Sequence, residues 1–538
     1  MIERIRPVRV VASKDTDNEQ ILFQNKPLQA ALNDNDCMEI KQDGYILLDF
    51  GKEISGGIAI NVRVTTRTPQ CAKCRITFGE SVMEAMSELG EKGACNNHSV
   101  RDTIVDIGYY GTFKFGTTGF RFVRIAPVDA VIRIRAIEAE NNMADLEYRG
   151  LFKCNDELLN NIWQTGAYTV HLNANEYLWD GVKRDRLVWI GDMHPEVSTV
   201  SAVFGKVPCV MRSLDFIRNG TPSDEWMNEI ITYSMWWIII HYDFYMHWGD
   251  YAYLGEQKEY MKELLLKTLD WIDGGCCIRL EVSKMEGFVD WSSKDSESEV
   301  EGRLAITCMA LRCGSEMMKA LGEDAVAERC SIYADRLCAD SITEKSNKRI
   351  SALTVLSGRD KSLATEVLCG NSAEEMSCFM GYYVLKAKAM LGDYRDALDI
   401  IREYWGGMLK MGATTFWEDF DIEWLENSAR VDELTPDGMR DIHGDFGKHC
   451  YKGFRHSLCH GWASGPTAFL MEQIGGIEIL EAGCRSVRIV PRLAGLEWIE
   501  VEYPTPYGSI KISSNDNGTR VSAPAEITVI CDGEVTTY

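Results

Sequence analysis

The sequence has few basic residues for its length and no apolar run long enough to cross a membrane. Its 57 Lys and Arg residues are outnumbered by 81 Asp and Glu residues, and the formal charge of -24 excludes the clustered positive charge that nucleic acids and anionic membranes require. The most apolar run, residues 235–248, is too short and too polar for a bilayer, and the first residues lack the apolar core of a signal peptide. We therefore expect a cytoplasmic protein that binds neutral small molecules.

Several nucleotide-binding and catalytic motifs are also missing. The chain has no P-loop, no dinucleotide-binding fingerprint and no G-x-S-x-G elbow. Cys71 and Cys74 form one C-x-x-C, but no second pair follows at zinc-finger spacing, so we expect neither a metal nor a cofactor. The 18 cysteines fit a reducing compartment in which thiols act as small hydrophobic side chains, so we expect no structural disulfides.

Three regions with different patterns of apolar residues follow one another along the chain. Residues 1–148 alternate short apolar runs with turn residues, which is typical of an antiparallel β-sandwich. Residues 149–466 show apolar residues at i, i+3 and i+4, which predicts about a dozen helices paired as hairpins. Residues 467–538 return to short strands and turn signals. We predict a central (α/α)6 barrel of six hairpins between an N-terminal β-sandwich and a small C-terminal β domain.

The segment EYLWDGVKRDRLVWIGDMHPE, residues 176–196, carries the strongest functional signal. It interleaves Asp180, Asp185 and Asp192 with apolar residues at no helical period. One interpretation is a helix start whose acids cap the helix and pair with neighbouring cations. The other is a set of acids buried among apolar side chains. Burial beside tryptophan would raise the pKa of one carboxyl group until it holds a proton at neutral pH.

Two tryptophans flank these acids, and their flat faces suit the stacking of sugar rings. Trp179 precedes the first acid and Trp189 lies between the second and the third. We therefore count both indoles as candidate substrate contacts. The neighbouring pair Asp192 and His194 is also a candidate for a divalent cation, although the sequence names no third or fourth ligand.

A second acidic cluster lies in GATTFWEDFDIEW, residues 412–424. Glu418 follows Trp417 there and precedes three more acids. A solvated acidic helix terminus would give the same pattern. Carboxylates from two distant segments are nevertheless what glycoside hydrolysis requires, because one protonates the leaving oxygen while the other activates water or attacks directly.

Two further segments repeat the combination of polar and tryptophan side chains. In residues 288–293 Asp290 precedes Trp291, where an ordinary helix-end cap is the alternative. In residues 455–470 His460 lies two positions before a tryptophan, which makes it a candidate for a hydroxyl contact.

These segments resemble the bacterial α-L-rhamnosidases, a family of inverting glycosidases with a six-hairpin (α/α) barrel. DGVKRDRLVWIGD, residues 180–192, keeps the family's spacing of an Asp, an acid five residues on and an Asp seven beyond. GATTFWE is similar to the family's general-base segment, and SLCHGWASGP is similar to the end of its barrel. LDFGKEISGGIAINV, TFGES and TTGFRFVRI resemble parts of its β-sandwich.

The resemblance implies a role for each acid. Asp185 is the general acid and Glu418 is the general base. Asp180 and Asp192 form hydrogen bonds to sugar hydroxyls, and Arg184 lies beside Asp185. Many members carry Glu where this chain has Asp185. The Asp side chain is one methylene shorter than Glu. The distance between the backbone of residue 185 and the leaving oxygen must therefore be shorter by about a bond length, so that the carboxyl group keeps a hydrogen bond of roughly 2.6 to 3.2 Å to that oxygen.

We therefore predict an inverting exo-glycosidase that releases terminal α-L-rhamnosyl residues from small glycosides. The same fold and mechanism acting on another sugar is one alternative, and a carbohydrate-binding or sensing protein without turnover is a second. A metal-dependent hydrolase built on Asp192 and His194 is a third. The aglycone, the linkage and any homo-oligomeric state are left open by the sequence.

Overall fold

The protein places a helical region between two strand-rich regions, in the order that the sequence predicts. A computed structural model describes residues 2–29, 36–67, 70–273, 287–291, 298–339, 346–359, 362–449, 451–531 and 533–537. The strands are β1 (Ile2–Ile5), β2 (Arg9–Asp17), β3 (Met38–Thr65), β4 (Ala72–Gly79), β5 (Asp102–Ile107), β6 (Gly111–Pro127), β7 (Ile132–Asn142), β8 (Leu151–Cys154), β9 (Ser428–Ala429), β10 (Arg440–Asp441), β11 (Ile477–Glu481), β12 (Ser486–Ile489), β13 (Trp498–Thr505), β14 (Gly508–Asn515), β15 (Gly518–Ser522), β16 (Thr528–Cys531) and β17 (Glu534–Thr537). The α-helices are α1 (Val82–Met86), α2 (Glu157–Asn173), α3 (Met193–Val203), α4 (Pro208–Gly220), α5 (Ile231–Trp248), α6 (Tyr251–Asp273), α7 (Ser298–Ala320), α8 (Asp324–Ala339), α9 (Lys348–Ser357), α10 (Ser362–Val367), α11 (Gly381–Leu391), α12 (Tyr394–Lys410) and α13 (Gly465–Phe469).

The N-terminal strands form one seven-stranded sheet in the order β1-β7-β3-β6-β4-β5, with β2 paired to β3. All of its pairs are antiparallel, as predicted. The 28-residue strand β3 changes partners along its length, and its register shifts where it does so. Such bulges bend a strand, which lets one long strand serve several neighbours. The apolar side chains of these strands bury a core of their own.

The C-terminal strands form two four-stranded sheets, ordered β11-β12-β16-β17 and β15-β14-β13-β8. The strand β8 precedes the helical region in the chain but pairs antiparallel with β13, with Cys154 opposite Ile499. The first turn after β8 is capped by Asp156, whose carboxylate accepts from two backbone N–H groups at the start of α2. The helical region is therefore anchored to the last sheet at its very beginning.

The most apolar run of the sequence, residues 235–248, falls inside α5. Most side chains of this helix are buried, so its apolar character serves the protein core. The helix ends at Gly249, which adopts the left-handed conformation with φ 62°. Across the described ranges, no helix combines the length and the apolar character that a membrane span requires.

Two long connections between helices meet on one side of the helical region. Residues 180–192 form an irregular loop between α2 and α3, so the interpretation of this segment as a capped helix start is wrong. This loop joins the connection between α12 and α13 through a bridge of Gly181 with His460 and a 2.8 Å hydrogen bond from Gly461 N–H to the Asp180 carbonyl. The predicted acids of both segments are brought together by this contact.

Candidate active site

Asp180 fixes the shape of the loop that carries the predicted general acid. Its Oδ2 accepts from the backbone N–H of Asp185 and its Oδ1 from that of Leu187, each at 2.9 Å. The side chain is buried, and burial raises the pKa of Asp180 to about 7. Asp180 thus positions Asp185 through the backbone, and its direct contact with sugar stays a prediction.

Asp185 is partly exposed and lies among three nitrogen donors. Arg184 Nε donates to Oδ1 at 3.2 Å, and Trp189 Nε1 donates to Oδ2 at 3.3 Å. The third neighbour is His98, whose Nδ1 lies 3.0 Å from Oδ1. Burial lowers the pKa of His98, which favours a neutral imidazole beside the acid. Three side chains therefore fix the orientation of this carboxyl group.

His98 belongs to the connection between α1 and β5, in the N-terminal region. This residue stands in a polar loop with no catalytic motif around it, so the sequence alone gives no reason to select it. Only the packing of the N-terminal sheet region against the helical region brings it to Asp185. The N-terminal region therefore contributes a side chain to the site.

Glu418 lies near the same guanidinium of Arg184. Its Oε2 accepts from the Ser457 backbone N–H at 2.9 Å, and its Oε1 lies 4.0 Å from Arg184 Nη2. The carboxyl group is only 3% exposed, and burial raises the pKa of Glu418. A carboxylate whose pKa lies nearer neutrality accepts protons more readily, which is the property a general base needs.

A cavity of about 740 Å³ opens in front of Glu418. Asp290 and Trp291 line it, as their predicted contact with substrate requires. Its other lining side chains are mainly aromatic or acidic, including Phe379, Asp419, Trp424, Tyr451 and Trp462. Burial raises the pKa of Asp419 to about 7. The mixture of flat apolar rings and hydrogen-bond acceptors suits a polyhydroxylated ligand.

Asp192 and His460 form a buried pair behind this cavity. The Tyr233 hydroxyl donates to Asp192 Oδ1 at 2.6 Å, and His460 Nε2 lies 3.3 Å from Asp192 Oδ2. Burial raises the pKa of Asp192 to about 7 and lowers that of His460. The imidazole packs against Trp462 with ring centroids 4.5 Å apart, so the pair supports one wall of the cavity.

The four predicted tryptophans have different environments. Trp291 lines the cavity and Trp189 contacts the acid, whereas the ring of Trp179 lies 5.0 Å from the guanidinium of Arg186. Trp417 is 1% exposed and packs edge-to-face on another core aromatic ring. Contact of Trp417 with substrate stays a prediction, although its indole packs among core side chains.

Asp192 and His194 do not face a common ligand. His194 Nε2 lies 2.9 Å from Asp243, and its Nδ1 lies 2.8 Å from the Tyr383 hydroxyl, so both ring nitrogens have partners other than Asp192. Cys74 is buried in the N-terminal core while Cys71 is exposed, so the C-x-x-C pair does not converge either. The 15 cysteines within the described ranges are free thiols.

A buried ion cluster joins the N-terminal region to the loop of the acid. Lys183 Nζ lies 2.9 Å from Glu80 and 3.2 Å from Glu84, and donates to the carbonyls of Phe454 and His456. In the described part of the chain, the two glutamates and His443 are the one group with the spacing of a metal site. The Lys183 ammonium pairs with both carboxylates, so a cation of the chain itself occupies this cluster.

We expect Lys183→Met to lower the free energy of unfolding by about 3 to 5 kcal/mol, because it leaves two buried carboxylates without their cation. The measurement is chemical denaturation followed by tryptophan fluorescence. Lys511→Met is the matched control, since Lys511 pairs with Glu502 at 2.9 Å in an exposed position. The control substitution should lower the free energy of unfolding by no more than about 1 kcal/mol. Equal losses in the two variants would contradict the assignment of Lys183 as a buried anchor.

Comparison with known proteins identifies the central part of the chain. Residues 147–341 match the model of the bacterial alpha-L-rhamnosidase 6 hairpin glycosidase domain. An alpha-L-rhamnosidase of Formosa agariphila is 24% identical over 163 residues, which cover 28% of this chain and 16% of that protein.

Solved rhamnosidase structures have a similar fold to this chain. The alpha-L-rhamnosidase of Dictyoglomus thermophilum superposes with a TM-score of 0.72 at 18% identity, covering 98% of this chain and 58% of its own. A GH78 family rhamnosidase of Bacillus sp. GL1 gives 0.69 at 20% identity, with 95% and 55% covered. The chain thus spans little more than half of these relatives. Over residues 147–341, the chain is therefore similar to the six-hairpin glycosidase domain of bacterial alpha-L-rhamnosidases, and it shares the fold of the solved rhamnosidases.

Proposed function

We propose that this protein is an inverting exo-glycosidase that hydrolyses terminal α-L-rhamnosyl residues of small glycosides. The proposal rests on one observation: the carboxyl groups of Asp185 and Glu418 both lie near the guanidinium of Arg184. Asp185 and Glu418 come from segments more than 200 residues apart, both lie beside Arg184, and Glu418 lines a cavity of sugar size. A rhamnosidase of Klebsiella oxytoca, 17% identical with a TM-score of 0.69, has been solved with rhamnose bound, which supports the choice of sugar.

In the proposed reaction, Asp185 and Glu418 divide the proton transfers. Asp185 gives its proton to the glycosidic oxygen as the bond to the anomeric carbon breaks, which spares the aglycone from leaving as an anion. Glu418 takes a proton from a water molecule that attacks the anomeric carbon from the opposite face. Arg184 lies beside both carboxyl groups, so its positive charge stabilises the negative charge that passes to Asp185 as it loses its proton.

We further propose that the helices close into an (α/α)6 barrel over residues 149–466, with a β-sandwich over 1–148 and a β domain over 467–538. The β8 strand is then the point at which the barrel region enters the C-terminal sheet. The free thiols of the described residues support the proposal of a reducing, cytoplasmic location.

The stereochemistry of the product tests the mechanism. We expect proton NMR in the first minutes of hydrolysis of an aryl α-L-rhamnoside to show β-rhamnose before mutarotation mixes the anomers, because water attacks from the face opposite to the leaving group. A panel of other aryl glycosides serves as the control for sugar identity. Initial appearance of the α anomer would recast Glu418 as a nucleophile, and turnover of a different glycoside alone would replace rhamnose as the substrate.

A non-catalytic carbohydrate-binding protein is the remaining alternative. Retention of both Asp185 and Glu418 favours catalysis, since a binding protein has no need of two carboxyl groups beside one guanidinium. Binding of rhamnose without turnover of any aryl glycoside in the panel would favour the alternative.

A further inference from the structure

A second cavity, of about 580 Å³, lies where α3, α5 and α11 meet the C-terminal strands. It has no lining residue in common with the cavity of Glu418. Its volume falls within the range of about 300 to 1,000 Å³ that is usual for small-molecule sites. The proposed hydrolysis uses none of its side chains, so the cavity needs a separate explanation.

The interior of this second cavity carries charged groups of both signs. Lys386, Asp243 and Glu472 all line it. Asp243 accepts a hydrogen bond from His194 through Oδ2, and its side chain is 42% exposed. Its carboxylate can therefore accept further hydrogen bonds from a molecule in the cavity. Within the described ranges, no carboxylate lies within the 4.0 Å of an ion pair from the Lys386 ammonium. Burial raises the pKa of Glu472 to about 7, so this carboxyl group both donates and accepts near neutral pH.

Tyrosine side chains complete the lining. The Tyr382 hydroxyl is buried near Ser198 and Lys386, and the Lys386 ammonium lies 5.1 Å from the centre of its ring. Tyr503 lines another wall, with its hydroxyl 3.4 Å from Glu472. Each phenol can donate and accept, so the two tyrosines add hydrogen-bonding groups for hydroxyls of a bound molecule.

We propose that this cavity binds a neutral polyhydroxylated molecule of mono- to disaccharide size. Hydroxyl groups accept from the Lys386 ammonium and donate to the Asp243 carboxylate, so one molecule satisfies both. An anion would be repelled by Asp243, and a cation would be repelled by Lys386. The tyrosine rings offer apolar faces to the C–H groups of such a ligand. This binding is independent of the proposed hydrolysis, because it involves other residues.

A chain of aromatic contacts links the two cavities. His194 lines the second cavity and bonds to Tyr383, which packs on Phe379 at 5.6 Å. Phe379 stacks on Trp462 at 5.1 Å, and both of these residues line the cavity of Glu418. The second site therefore lies directly behind the first.

Ligand-detected saturation-transfer NMR on the full chain tests the proposal, with L-rhamnose, D-glucose, sucrose and myo-inositol as separate probes. We expect at least one probe to lose affinity about tenfold or more in both Lys386→Met and Tyr382→Phe. The second variant keeps the ring and removes only the hydroxyl, so it guards against loss of folding. Lys319→Met, at an exposed position of α7, is the matched control and should bind as the unaltered chain does.

Each other outcome overturns the proposal. Equal affinity of every probe for the unaltered chain and both variants would mean that polyols bind only elsewhere and that water alone fills the cavity. Loss of inorganic phosphate binding in Lys386→Met, with no change for the polyols, would identify an anion site instead. Turnover of an aryl rhamnoside is measured separately on the unaltered chain, so failure of the proposed hydrolysis is distinguished from failure of this site.

Discussion

Glu418→Gln should reduce turnover about a thousandfold or more, on activated and unactivated glycosides alike. Glutamine keeps the shape of the side chain and an oxygen that accepts from the Ser457 N–H, but it takes no proton from water. Water activation is required however easily the leaving group departs, so an activated aryl group gives no rescue. The measurement is kcat on a nitrophenyl glycoside and on an alkyl glycoside, each against the unaltered protein.

Glu426→Gln is the matched control for this prediction. Glu426 belongs to the same connection, carries the same functional group and is exposed. We expect its variant to keep full turnover, because a solvated carboxylate on the surface does not touch the cavity. Turnover of Glu418→Gln within tenfold of the unaltered protein would assign the general base to another residue.

Asp185→Asn should slow hydrolysis of glycosides with poor leaving groups by about a hundredfold or more. Asparagine has no proton to give to the glycosidic oxygen, and an alkoxide is a poor leaving group without one. A nitrophenolate departs with little help, so hydrolysis of a nitrophenyl glycoside should fall much less. The measurement is the dependence of kcat/KM on the pKa of the leaving alcohol, which should steepen in the variant.

Asp421→Asn separates this effect from a general disturbance of the site. Asp421 lines the cavity of Glu418, and its carboxylate accepts from the Glu423 N–H at 3.0 Å. Any loss in this variant should be the same for good and poor leaving groups. If Asp185→Asn also lost activity equally on both, the proton donor would not be Asp185.

The sequence predicted the order of strand-rich and helical regions because each depends on local periodicity. The acids of residues 180–192 and of residues 412–424 could be selected for the same reason, since charged side chains between apolar ones are visible in one dimension. The family resemblance predicted Arg184 beside Asp185, but not that Glu418 would lie near the same guanidinium.

Contacts between distant segments account for what the sequence did not predict. Trp291 and Trp417 each stand next to an acid in the sequence, yet one lines a cavity and the other is a core side chain. That difference depends on how each loop turns between helices, and local pattern does not encode it. His98 reaches Asp185 only because two regions pack together, and Lys183 meets Glu80 and Glu84 by the same contact.

The pairing of β8 with β13 has a consequence for synthesis of the chain on the ribosome. Strand β8 leaves the exit tunnel first, and its partner strand follows more than 300 residues later. At about 5 to 20 residues per second, the delay is on the order of half a minute. During that time the edge of β8 has no partner, while the helices that follow it are already emerging. The final sheet therefore forms only after translation of the helical region is complete, and its closure is the last step that secures the start of α2.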